Sequence, residues 1–181
     1  CTPNYVHAPI AIDFLNAGKH VLCEKPAAVN SELAAQMQKA ADDNGKILNI
    51  GVCNRFNTAV CKVAELIEQG ELGKLYHVYC SFRAYRSIPG LGGPFTTKSM
   101  AGGGALIDWG VHYLDLIFYC INQPAIKTVS AATYSILGKD MKNYVYESMW
   151  AGPPDYNGTY DVEEFVTGLV RTEGPTISLN G

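Results

Sequence analysis

Between residues 5 and 17, Val6, Ile10, Phe14 and Ala17 recur at helical spacing, and Gly18 follows where a helix needs a left-handed stop. His20-Val21-Leu22-Cys23 is a short apolar run, read as a strand halted by Glu24-Lys25-Pro26 because proline cannot donate to a ladder. A capped helix is expected from Asn30 or Ser31 to about Asn44, apolar along Leu33, Ala34, Met37, Ala40 and Ala41 and ended by Gly45. Ile47 to Cys53 reads as a second strand. Both strands are nearly unbroken apolar runs, the pattern of parallel strands buried on both faces by crossover helices. A helix over 57–69, with Val60, Val63, Ala64 and Ile67 on one side, ends at Gly70.

Beyond Gly70 the pattern changes. Residues 75–86 form a long β-type run rich in Tyr, Val and Phe, and 87–104 are dense in Gly, Pro, Ser and Thr. A helix over about 106–121 is followed by strand-like runs at 125–137, 143–150, 160–171 and 175–180. Strands following strands argue for an antiparallel sheet in an α+β layer. The expected architecture is therefore α/β plus α+β, with residues 1–54 as one unit, 55–181 as a second, and the boundary near 54–57. The opening Cys1-Thr2-Pro3-Asn4 and the closing run to Gly181, which looks like the inside of a strand, point to a segment of a longer polypeptide.

Composition narrows the function. A net charge of -3 and 17% charged residues give no broad attraction toward nucleic acid or anionic lipid, and neither is expected as a partner. Every apolar stretch is interrupted well short of the ~20 residues that cross a bilayer, so a soluble, cytoplasmic protein is expected. The six cysteines contain no C-x-x-C pair, and no metal site is expected. Cys23, Cys53 and Cys80, within apolar runs, read as small buried hydrophobes.

The chemistry concentrates on one helix. Asp108 and His112 stand four apart, and with Asp115 and Tyr119 they make a polar stripe beside an apolar one of Ile107, Val111, Leu114, Phe118 and Ile121. His112 suits proton transfer near neutral pH, and Asp108 can set its tautomer or its basicity. A buried histidine satisfied by an aspartate shows the same spacing, so spacing leaves both readings open. Gly102-Gly103-Gly104 before the helix would let a ligand approach its free N–H groups. Lys25, at the carboxyl end of a parallel strand, lies where open α/β sheets bind ligands. Thr2, Pro3, Asn4 and His7, at the head of the first helix, are placed to hold a ribose or an amide, or simply to cap the helix. Arg83, Tyr85 and Arg86 precede the glycine-rich loop and suit either substrate hydroxyls or an exposed sheet surface.

The ordered set Thr-Pro-Asn-x-x-His, Ala17 to Pro26, and Gly102-Gly103-Gly104-Ala105-Leu106-Ile107-Asp108-x-Gly-x-His112 resembles the glucose–fructose oxidoreductase/inositol dehydrogenase/rhizopine catabolism (Gfo/Idh/MocA) family. The likeness runs from residue 1 to about 121, with Asp161-Val162-Glu163-Glu164-Phe165 resembling a later family strand. It implies the C-terminal part of a Rossmann dinucleotide-binding domain, then an open, mostly antiparallel sheet domain with a catalytic helix. It implies NAD or NADP as cofactor, a carbohydrate, polyol or inositol-type substrate, and a homo-oligomer, dimer or tetramer, formed through the sheet. Lys25, Asp108 and His112 would be catalytic, and Thr2, Asn4, His7, Glu24, Lys25 and Asn54 would line the nicotinamide end of the cofactor site. The glycine-rich G-x-G-x-x-G turn of such a domain is expected upstream of Cys1. A regulator that only senses dinucleotide, and an NAD-assisted glycosidase, share this fold and stand as alternatives.

Overall fold

A computed structural model describes residues 2–83, 87–147 and 151–181. Its first third is wound as expected. Helix α1 (His7–Asn16) ends at Gly18, whose φ of +74° few side chains tolerate. Strand β1 (Val21–Cys23) follows, and then helix α2 (Ser31–Asn44). The Asn30 side chain caps α2 by accepting from Leu33 N at 2.9 Å, and Gly45 closes it in the left-handed region. Strand β2 (Leu48–Ile50) pairs parallel with β1, Val21 opposite Leu48.

The core here lies on one side of the strand pair, where Ala8, Ala11 and Leu15 of α1 meet Met37, Ala40 and Ala41 of α2 over Cys23. Two expectations change. The buried side of α1 is its alanine side, because close packing of two helices favours small residues, and Ile10 and Phe14 are left 41% and 55% exposed. Among the described residues the strands are covered on one face, and Leu22 stands 76% exposed on the other.

A turn at Cys53–Phe56 leads into helix α3 (Thr58–Glu68), which is capped by Asn57 and lies against the helix that carries His112. Strand β3 (His77–Ser81) is shorter than the run over 75–86, because its parallel partner β6 (Thr176–Asn180) spans five residues. Residues 84–86, with Tyr85 and Arg86, lie outside the described residues.

Short helix α4 (Lys98–Ala101) and a π-type turn at Leu106–Gly110 precede helix α5 (Val111–Cys120). Strands β4 (Ile126–Tyr134) and β5 (Phe165–Thr172) complete a sheet of order β3-β6-β5-β4. Both the β6–β5 and the β5–β4 pairings are antiparallel, so this sheet is mixed and mostly antiparallel.

No strand forms at 143–147. Asn143 and Tyr144 donate back to Asp140 O and Glu147 N to the Ser87 hydroxyl, so no strand partner lies alongside, and 148–150 are outside the described residues. Residues 160–164 are also irregular, and pairing begins at Phe165. The face of the π-type turn and α5 that packs on Cys80, Phe82, Val166 and Leu179 carries Leu106, Trp109, Tyr113, Leu114 and Ile117, rotated from the expected stripe toward the aromatic residues. Phe82 stacks on Tyr113 at 5.3 Å between centroids and meets the Trp109 edge at 6.2 Å. Among the described residues, no helix is long and apolar enough to cross a membrane.

Candidate active site

Two elements far apart in sequence meet at Lys25. The turn after β1, with a cis Lys25–Pro26 bond, brings the lysine to the π-type turn, where Nζ donates to Asp108 Oδ1 at 2.7 Å and to Asp108 O at 2.6 Å. About three quarters of each side chain is shielded from solvent, which strengthens the ion pair relative to one in open water. Glu24, beside it, accepts from Lys25 N at 3.2 Å and fills the space next to Gly51, where an added Cβ would lie 3.3 Å from its carboxylate.

Asp108 borders two cavities. One, of about 480 Å³, is lined by Thr2, Pro3, Asn4, His7, Glu24 and Lys25 on one side and by Phe95 and Met100 on the other. The second, of about 670 Å³, lies toward the sheet, with Phe82, Arg83, Trp109, Tyr160, Glu163 and Phe165 in its walls. Phe95 borders both.

Of the residues expected around the cofactor, Thr2, Asn4, His7, Glu24 and Lys25 share the smaller cavity, and Asn54 is not in its lining. Two of them also have structural partners. His7 is buried, with Nδ1 2.7 Å from Pro26 O and Nε2 3.2 Å from Thr2 O, so its ring ties α1 to the proline turn. Asn4 donates to Ala101 O at 3.0 Å and joins the start of the chain to α4. Neither 3₁₀ turn nor helix at this end takes a side-chain cap, so Thr2 and Asn4 are not caps.

His112 follows Asp108 by one turn and lines neither cavity. Among the described residues its buried Nδ1 has no hydrogen-bond partner, so Asp108 does not satisfy that nitrogen. Burial pushes its pKa below the ordinary 6.5 and the Lys25 charge acts the same way, opposed by Asp108, Asp115 and Glu24. Asp115, next on the stripe, is held in a fork by Arg55, whose Nε donates to Oδ2 at 2.6 Å and whose Nη2 pairs with Oδ1. The guanidinium also lies over the Tyr119 ring, 5.4 Å from its centroid. Arg55 escaped the sequence reading, since a partner 60 positions away leaves no periodic signal.

In the glycine run, Gly104 lines the larger cavity and also has a packing role. An added Cβ on Gly104 would fall 1.8 Å from Glu163 O, so that residue is small to admit the Glu163 backbone. Glu163 then takes the first N–H groups of the turn, its carbonyl accepting from Ala105 N at 3.0 Å and its carboxylate from Leu106 N at 3.1 Å. Glu164 accepts from the Tyr160 hydroxyl at 2.7 Å and from the backbone of Ile136, Leu137 and Gly138. Burial, with that hydrogen bond, drives the Tyr160 pKa far upward, and its hydroxyl stays protonated. Cys23 and Cys80 are buried, but Cys53 is exposed in the turn after β2, contrary to the burial expected of it. Among the described residues, no cluster of His, Cys, Asp or Glu could hold a metal ion.

Residues 1–52 match the profile of an oxidoreductase family with an NAD-binding Rossmann fold, and residues 60–180 match that of the GFO/IDH/MocA C-terminal domain. D-glucoside 3-dehydrogenase of Escherichia coli is 36% identical over 173 residues, covering 94% of this chain and 47% of its own length. A levoglucosan dehydrogenase solved with NADH and levoglucosan superposes with a TM-score of 0.80 at 27% identity, over 99% of this chain and 46% of that one. GenD2 from gentamicin A biosynthesis, solved with NAD, gives 0.79 at 28% identity, over 99% and 46%. The chain thus spans about half the length of the curated relatives it matches.

Proposed function

The chain belongs to the GFO/IDH/MocA family of oxidoreductases, and on that premise we propose that it carries the reacting end of an NAD- or NADP-dependent enzyme that oxidises or reduces a hydroxyl-bearing carbon of a sugar, polyol or inositol. The observation that carries this reading is the Lys25–Asp108 pair, standing at the wall shared by two cavities. The smaller cavity suits a flat, polar-edged ring: Pro3, Phe95 and Met100 offer apolar faces, and Asn4, Glu24 and Lys25 offer polar contacts. Bound there, nicotinamide supplies a hydride acceptor or donor at C4.

The chain's own residues handle the oxygen. The Lys25 ammonium neutralises charge that develops on the substrate oxygen, and Asp108 fixes the lysine and the backbone turn before His112. His112, neutral because its pKa is lowered, takes the hydroxyl proton during oxidation and returns it during reduction. Such a proton carrier is of no use to a protein that only senses dinucleotide. The mostly antiparallel sheet supports self-association, for alternation sets Tyr79, Ser178, Leu169 and Ser130 in one row facing away from α5, with Tyr79 exposed. Buried free thiols at Cys23 and Cys80 support a reducing, cytoplasmic setting.

The test is turnover of the intact protein on a panel of sugars and polyols, followed by absorbance of reduced nicotinamide. Lys25→Ala and His112→Ala are each expected to lower kcat by about 10²–10⁴-fold with cofactor still bound. Near-normal turnover in either variant removes that residue from the chemistry, and sugar release without net NADH would favour the glycosidase.

A further inference from the structure

Two cations rising from the β1–β2 side meet the same face of the π-type turn and α5: Lys25 at Asp108 and Arg55 at Asp115. His112 lies between these positions, four residues after the first and three before the second. We propose that Arg55 is a positioning residue for the reaction: its fork on Asp115 seats the helix of His112 against the turn after β2 and offsets the carboxylate charge three residues beyond the imidazole. This rests on the reading of His112 as the proton carrier.

The geometry favours a built clamp over a chance surface pair. The Asp115 side chain is only 15% exposed, both of its oxygens are engaged, and the guanidinium is further fixed over Tyr119. Arg55 stands in the turn between the segment of β1 and β2 and that of α3 to β6, so it acts across them.

The other charged neighbours of His112 have partners of their own. Asp108 is paired with Lys25, and Glu24 accepts from Lys25 N. Lys62 and Glu65 on α3 are paired with each other at the surface, and the Cys61 thiol donates to Arg55 O. The sheet beneath α5 contributes Cys80, Phe82, Val166 and Leu179, which carry no charge. Asp115, like Asp108, acts to raise His112, and without Arg55 its charge would lose its partner.

The experiment is an NMR titration of the His112 ring in the intact protein, with the resonance assigned by its loss in His112→Gln. Arg55→Ala is expected to raise the His112 midpoint by about half a pH unit or more, and Asp115→Asn to lower it. The double variant is expected to return close to wild type. Arg55→Lys, which keeps the charge and loses the fork, should stay near wild type in midpoint. Shifts of the same sign in the two single variants, or no shift in either, would overturn the proposal. A purely structural clamp would instead make Arg55→Lys behave like Arg55→Ala. If Arg55→Ala does not fold, Arg55→Lys and Asp115→Asn still report the sign. Should the opposite shifts appear while the pH profile of kcat/KM ignores them, Arg55 keeps its electrostatic role and His112 loses its part in the chemistry.

Discussion

For His112, burial and the Lys25 charge both favour the neutral ring and extend its range to more acid pH than a free imidazole would have. In the oxidation direction the base must be neutral, so the acid limb of kcat/KM is expected to have its midpoint below 6.5. A midpoint above 6.5 would contradict that. The same shift enters stability: an unfolded chain takes up the proton near 6.5 and the folded one only lower. The contribution of His112 is thus present above 6.5 and is lost as pH falls through the folded value. Asp108 and His112 were legible in sequence as a four-residue spacing on a helix, and Lys25 as a cation at a strand end. Arg55 was not, because nothing local distinguishes an arginine that closes a fork on the next unit from one in water. His7 and Asn4 were legible as polar residues at the head of a helix, but their backbone partners at Pro26 and Ala101 depend on the tertiary fold.

Among the elements, α2 was the most readable, since an asparagine cap, an apolar face and a terminal glycine all agree. The runs over 143–147 and 160–164 misled because tyrosines and valines favour strands only where a neighbouring strand takes the backbone groups. In the second run, Asp161, Glu163 and Glu164 instead accept from the N–H groups of Lys98, Leu106 and the 136–138 turn. Gly102-Gly103-Gly104 was legible as a place of close approach, and the segments that approach are Val29 at Gly102 and Glu163 at Gly104. Gly104→Ala is therefore expected to destabilise the fold by about 1–3 kcal/mol through overpacking, read as a lowered midpoint of chemical unfolding. An unchanged midpoint would show that the Glu163 segment can withdraw without cost.

On the scale of the whole molecule, the parallel pair and the mixed sheet are joined through α3, α5 and two ion pairs, and among the described residues nothing covers the outer face of the mixed sheet. If copies associate through that face, a charge in the row of Tyr79 and Leu169 would have to be desolvated without a partner. Tyr79→Asp is expected to lower the mass of the intact protein measured by light scattering, and an unchanged mass would rule this face out as the contact. Asp108 has a separate consequence at this scale, because one carboxylate forms part of the wall of both chambers. Any guest that draws it away from Lys25 on one side alters the potential felt by a guest on the other. By thermodynamic reciprocity, whatever factor the first occupant applies to the affinity of the second, the second applies to the first.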